Sequence, residues 1–359
     1  DAEFVKKEFS ALGFPAEYTV KGGVLADLGG KDDNNALLLE AHTDTLGGMF
    51  AEVKSNGRLR ITPLGGMNAC NAETENVRIY TRLGKIYEGA LQLCNASIHV
   101  NGDFSTASRT WDSVEIVIDE DVKTDEDTRK LGIETGDIVC FEPRTRRTES
   151  GYLKSRFLDD KLSVGILLGF AKYLKDNSIV LPRRVYVHVT VYEEVGHGGC
   201  ASVPAGVTES ISVDMGCVGD GLRCTERQVS ICAKDSGGPY SYEVVGKLID
   251  AAKREGADYA MWTACSTRSR RSRAISSSER PERGAFTKAW AATARCLSGR
   301  RFCATLFARR CFLWKQRTFC TSCERKRDCR RTSWLKSSLS RGRPSPAGKT
   351  ATPRPTWKP

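Results

Sequence analysis

Val185-Tyr186-Val187-His188-Val189-Thr190-Val191-Tyr192-Glu193-Glu194 is rich in β-branched and aromatic residues and then stops on two carboxylates. The run from Arg184 to Tyr192 reads as a buried strand, and its polar residues come where the strand ends. Two other stretches repeat this design. Ala36 to Leu39 is a short apolar run entering Glu40-Ala41-His42-Thr43-Asp44, and Ser210 to Val213 ends at Asp214. Open α/β sheets place their active sites at the carboxyl ends of strands. Three strands that each deliver an acid or an imidazole there predict an α/β fold with a site at that edge. Between them, Lys161 to Leu174 and Tyr242 to Arg254 carry apolar residues at helical spacing, through Leu162, Ile166, Leu167, Phe170 and Leu174 and through Val245, Leu248 and Ile249.

Residues 57–150 have a different texture. Short β-type runs, Arg60 to Pro63, Val77 to Leu83, Val114 to Asp119 and Ile138 to Phe141, are separated by Gly and Asn turns, with one short helix near Asp125 to Leu131. The expectation is a small β-rich domain inserted into an α/β domain made of residues 1–56 and 151–261. A third segment is set apart by charge. The chain carries +11 overall, yet residues 262–359 hold 25 Lys and Arg against four Asp and Glu, so the remainder is acidic. No Val, His, Tyr or Asn follows Met261. Such a segment lacks the residues that build a core and is expected to be largely disordered, a stretch read out of frame. Its Arg runs suit salt-dependent binding to nucleic acid or an anionic surface. With no aromatic interleaving and no nucleic-acid motif, a nucleic-acid partner is not expected.

Asp1 is not an initiator Met, and Phe4 to Phe14 reads as the end of an amphipathic helix, so further residues are expected in front of it. No signal peptide or membrane-spanning run is visible, and no membrane partner is expected. The seven Cys before residue 262 lack framework spacing, which predicts a cytoplasmic protein.

The acids at the strand ends, taken with Asp159-Asp160, suit divalent cations. Neutral imidazole and carboxylates are the ligands of hydrolytic zinc, cobalt or manganese, and a carboxylate can give one oxygen to each of two ions. His42, Asp159, Glu194 and Asp214 are of the right type. Glu193, beside a ligand but not needed as one, suits a general base. Each has a plainer reading when taken alone, since adjacent acids are usually solvated surface and a lone His is usually a satisfied core residue. Their order along three strand ends favours the metal reading. His188, inside a strand, reads as packing; His197, within Gly196-His197-Gly198-Gly199, reads as part of a tight loop. Cys320-x-x-Cys323 with Cys329 lacks the second pair a zinc site needs.

Ala41-His42-Thr43-Asp44-Thr45-Leu46-Gly47, Phe157-Leu158-Asp159-Asp160-Lys161, Glu193-Glu194-Val195-Gly196 and Val213-Asp214 resemble, in order and spacing, motifs of the self-compartmentalising tetrahedral aminopeptidases. These are glutamyl-aminopeptidase-like two-metal exopeptidases, some of them also labelled endoglucanases. The resemblance runs over residues 1–261. It implies a mixed-sheet exopeptidase domain with helices on both faces, and a dimerisation module at residues 57–150. It also implies that His42 and Asp214 hold one metal, Asp159 bridges, and Glu194 holds the second. Glu193 would deprotonate the shared water, Asp44 would hydrogen-bond His42, and the Asp159-Asp160 peptide would be cis. The implied reaction removes N-terminal residues from peptides with two divalent ions, zinc or cobalt or else manganese. The implied partners are peptide substrates and further copies of the chain, whose dimers build a hollow twelve-subunit tetrahedron. In this family a His of the inserted domain can approach a neighbour's site, which makes His99 a candidate. A related deacylase or carboxypeptidase shares much of the site, whereas an endoglucanase would not need His42.

The pattern is broken at one point. The family's second metal takes a late His, well after Ser236-Gly237-Gly238-Pro239, and the last His here is His197. The expectation is a chain with the fold and most of the site, its activity crippled.

Overall fold

The opening helix, α1 (Ala2–Ala11), buries Val5 and Phe9, four residues apart and hence on one face. It leads into the hairpin β1 (Ala16–Tyr18) and β2 (Val24–Asp27), then β3 (Ala36–His42). The chain next forms a closed barrel from β4 (Gly47–Val53), β5 (Leu59–Leu64), β6 (Asn76–Tyr80), β7 (Ile86–Leu93) and β8 (Val114–Ile118), with α2 (Asp125–Lys130) preceding β9 (Ile138–Phe141). A small hairpin, β10 (Arg146–Arg147) and β11 (Leu153–Lys154), returns it to α3 (Leu158–Asp176). There follow β12 (Val185–Thr190), β13 (Val207–Met215), β14 (Val229–Asp235), β15 (Gly238–Pro239), α4 (Tyr242–Arg254), β16 (Tyr259–Thr263) and β17 (Ala285–Ala291). The computed structural model describes residues 1–235, 237–263 and, for the backbone alone, 285–291, all within one unit, Asp1–Trp314.

The main sheet runs β1-β2-β12-β3-β13-β17-β14-β15, with β16 beside β14. β12, β3 and β13 are parallel neighbours, so their carboxyl ends lie together. Alternation assigns the faces. Leu37, Leu39, Ala41, Val187 and Val213 pack with Val164, Leu167 and Ala171 of α3, and α1 joins that core. α4 packs over Ile231 through Val245 and Ala252. Ile231 and Val213 both pair with residue 289, so α4 shares the face of α3. On the other face Leu38, Glu40, His42, His188, Thr190 and Ser210 are buried. Among the described residues the helices of this domain, α1, α3 and α4, all pack on the first face, whereas the resemblance implies helices on both.

The barrel begins at Gly47, ahead of the boundary expected at residue 57. Ser55-Asn56-Gly57, read as the division between domains, is the turn of the β4–β5 hairpin, where Lys54 N–H donates to the Arg58 carbonyl at 2.8 Å. Strand β7 was not singled out in the sequence. Gly89 interrupts its pattern, and a side chain there would press within 2.4 Å of the Val117 carbonyl of the neighbouring strand. Closure leaves the barrel without open edges and buries Leu59, Ile61, Ile79, Leu91, Ile116 and Val139.

Two findings correct the break expected at residue 261. β16 continues across it, because the alternation of Tyr259 to Thr263 buries Trp262 with Cys224, Cys232 and Ala260. Residues 285–291 form β17 between β13 and β14, in a stretch that holds no Val or Ile. The rest of the segment expected to be disordered lies outside the described residues. No helix among the described residues is long and apolar enough to cross a membrane.

Glu115 on β8 is fully buried, one oxygen held by Lys54 and the other by Arg58 at 2.5 Å. Both cations are about one-third exposed, so Glu115→Ala is expected to cost about 3 kcal/mol, the low end for a broken buried pair. A urea midpoint that does not move would refute the bracket.

Candidate metal centre

β3, β12 and β13 end side by side, with Thr190 paired to His42 and Ser212 to Glu40. His42, Glu193-Glu194 and Asp214 therefore emerge from three adjacent strand ends. The start of α3 brings in the remaining acids. Phe157 takes a left-handed backbone (φ 62°), and the Asp159-Asp160 peptide is cis, as the resemblance implied. Asp159 departs from helical geometry (φ −76°, ψ 101°). Its side chain is 43% exposed, whereas Asp160 is completely buried.

His42 organises the site. It is 2% exposed, and its Nδ1 lies 3.0 Å from the backbone carbonyl of Asp44, with the Asp44 carboxylate 3.5 Å away. A carbonyl oxygen can only accept, so Nδ1 carries the proton. In the neutral ring the Nε2 lone pair then points at Asp159 Oδ1, 3.1 Å away, with Glu193 Oε2 at 3.7 Å. Two acceptors facing each other at that distance require a second proton or a cation between them. Burial opposes an imidazolium, but Asp159, Asp44, Asp160 and Asp214 outweigh it and push His42 up to about 11. The carboxylates show the same surplus of negative charge. Burial and then Asp159 push Glu194 up to about 7, and burial and then Asp214 hold Asp160 well above the usual carboxylate range.

Ligand-type atoms converge in two groups of three that share His42: His42, Asp159 and Glu194, and His42, Asp160 and Asp214, each within 4.8 Å. The expected ligands are thus brought together, but the division differs from the one implied, since Asp214 groups with Asp160 and not with Asp159. Asp160 is not among the ligands that the sequence proposes, although it belongs to the acidic pair Asp159-Asp160. Its Oδ2 accepts the His42 backbone N–H at 3.1 Å, while Oδ1 is buried without a partner. Asp44 does more than face the imidazole, because its Oδ2 accepts the Glu194 N–H at 3.1 Å. A face-to-face pair of acceptors, an unpartnered buried oxygen and four acids around one imidazole form a donor set that fits divalent cations.

The site also touches the barrel. Gly65, just beyond β5, has φ 78°, and a side chain there would meet Leu46 at 2.4 Å and the Glu194 carbonyl at 3.2 Å. His197 joins neither ligand group. It stacks on Tyr192, ring centroids 5.1 Å apart, with Nδ1 2.6 Å from Lys21 Nζ. His188 is buried against Glu40.

Residues 22–281 match the M42 glutamyl aminopeptidase family. YhfE of Bacillus subtilis, named as an aminopeptidase, is 41% identical over 241 residues, 67% of this chain and 70% of that one. The glutamyl aminopeptidase of Lactococcus lactis is 25% identical over 55% of each chain, so this chain spans about half of that relative. Solved structures share the fold. The TET1 peptidase of Pyrococcus horikoshii, which can assemble into a tetrahedron or an octahedral shell, is 19% identical over 82% of this chain and 86% of that one, with a TM-score of 0.64. The TET aminopeptidase of a Thaumarchaeota archaeon is 16% identical over 87% and 89%, with a TM-score of 0.68. A structure from Thermotoga maritima titled endoglucanase, 16% identical over 80% and 81%, has a TM-score of 0.55. The family match covers the barrel, every strand of the main sheet except β1 and β17, and every residue of the two ligand groups, and with it this chain belongs to the M42 glutamyl aminopeptidases.

Proposed function

We propose that this chain carries an aminopeptidase centre in which His42, Asp159, Glu194 and Asp214 hold two divalent cations and Glu193 is the general base. The observation behind this reading is the buried His42, whose Nε2 faces the Asp159 carboxylate at 3.1 Å within a ring of acids. Zinc or cobalt, with manganese as the alternative, would polarise a peptide carbonyl and lower the pKa of a water enough for attack near neutral pH. The chain's own residues do the rest. Asp44 fixes the imidazole tautomer through its carbonyl and anchors the Glu194 backbone through its carboxylate, so one residue orients both sides of the site. Glu193 is 35% exposed and reaches toward the same nitrogen from the open side. It takes the proton of the attacking water at Oε2 and returns it to the leaving amine.

In this reading the barrel is a dimerisation domain, and copies of the chain assemble in the cytoplasm around peptide substrates. A glycosidase has no use for an imidazole at the centre of both acid groups, so His42 favours the peptidase over the endoglucanase label.

The late imidazole is missing from the sequence, and His197 is engaged with Lys21 and Tyr192. One cation would be left with carboxylates alone, so activity should be weak. With aminoacyl-p-nitroanilides and added cobalt, kcat/KM is expected at least about 100-fold below the ordinary range of roughly 10⁴ M⁻¹s⁻¹ and above. Turnover within that range would contradict the missing-ligand argument. Glu193→Gln should abolish whatever activity remains without releasing bound cobalt; equal rates would remove Glu193 from its role as base.

Stability should depend on pH with a definite sign. Glu194, Asp160 and His42 all have raised pKa values, so each holds a proton in the fold that it would lose on unfolding. Their stabilisation is present below the unfolded pKa and lost as pH rises through the folded one. In chelator, the melting temperature should fall between pH 5.5 and 8, as Glu194 titrates near 7 and His42 begins to lose its advantage. Added cobalt should flatten that slope. A melting temperature that rises with pH in chelator would contradict the assignment.

A further inference from the structure

Beneath the metal centre lies a second buried polar cluster. Glu40, His188 and Ser210 are 7%, 2% and 4% exposed. They stand on β3, β12 and β13, the strands whose ends carry His42, Glu193-Glu194 and Asp214. Glu40 Oε1 lies 3.1 Å from His188 Nδ1, and Oε2 accepts the Ser210 hydroxyl at 2.9 Å. One carboxylate thus joins its own strand to both neighbours.

Glu40 lies two residues before His42, and His188 two before Thr190, which pairs with His42. The bracket therefore sits on the ligand face of the sheet, one step below the ligands. The loop following Glu194 rests against it. A Cβ at Gly199 would stand 3.5 Å from Glu40 Oε1, and one at Gly198 only 2.9 Å from both Thr190 Oγ1 and Glu193 Cα. A buried carboxylate satisfied from both sides holds its partners at defined separations, because losing either leaves a buried polar group unpaired.

We propose that Glu40 is a positioning residue for the metal centre: bracketed by His188 and Ser210, it sets the spacing of β12 and β13 about β3, and so the separation of His42 from Glu194 and Asp214. This rests on the metal-binding reading above.

The test is cobalt titration of the full 359-residue chain, followed by visible d–d absorption, which reports coordination geometry, alongside thermal unfolding. The unaltered chain is expected to bind cobalt in a His42-dependent way. Glu40→Leu should weaken binding roughly tenfold and change the absorption band, Ser210→Ala should weaken it about threefold, and Glu40→Gln, which still bonds both neighbours, should restore most of the affinity. A purely structural role would lower the melting temperature of Glu40→Leu and leave the affinity and spectrum of the folded protein unchanged; that result overturns the proposal. If Glu40→Leu does not fold, loss of the single hydroxyl in Ser210→Ala decides, and unchanged affinity and spectrum again overturn it. An unaltered chain that binds no cobalt, or a His42→Ala chain that binds it equally well, overturns the metal reading and this proposal together. Cobalt binding that needs His42 but ignores Glu40 and Ser210 overturns only the proposal.

Discussion

A single proton organises this site. Because the Asp44 carbonyl holds it on Nδ1 of His42, the opposite nitrogen must present a lone pair to a carboxylate unless it too is charged. The surrounding acids make sense as an answer to that constraint. Burial and then mutual repulsion raise Glu194 and Asp160, and the acids' negative charge drives His42 toward a cationic form despite its burial. Positive charge placed among them would relieve all three at once, which is the physical content of the metal assignment.

The two faces of the sheet divide the labour. On one side, aliphatic residues of β3, β12 and β13 bury themselves beneath α3 and supply the non-directional burial that any α/β fold needs. On the other, the same strands carry Glu40, His42, His188 and Ser210, whose hydrogen bonds are directional. Stability and geometry are thereby assigned to alternate residues of the same few segments.

That division explains what could be read in the sequence. Strands β3, β12 and β13 were legible because apolar runs stop abruptly on acids or imidazole, and α3 and α4 because their apolar residues recur at helical spacing. The pairing of Glu40 with His188 and Ser210 was not legible, since its members are 148 and 170 residues apart and each looks like an accident inside a strand. Asp160 was hidden by its neighbour, because two adjacent acids do not announce which one turns inward. β7 was concealed by Gly89, whose missing side chain is a packing requirement of the barrel. Alternation over a few residues kept β16 and Trp262 in the fold past a boundary that composition had drawn too early.

Gly65 ties the two halves of the molecule together. It is the point at which the end of a barrel strand presses on the backbone of Glu194, leaving no space even for a methyl group beside Leu46. The inserted domain is consequently no detachable accessory. The turn after β5 lies against the loop that carries Glu194, so these two segments can drift in sequence only in concert, as the faces of a mould must.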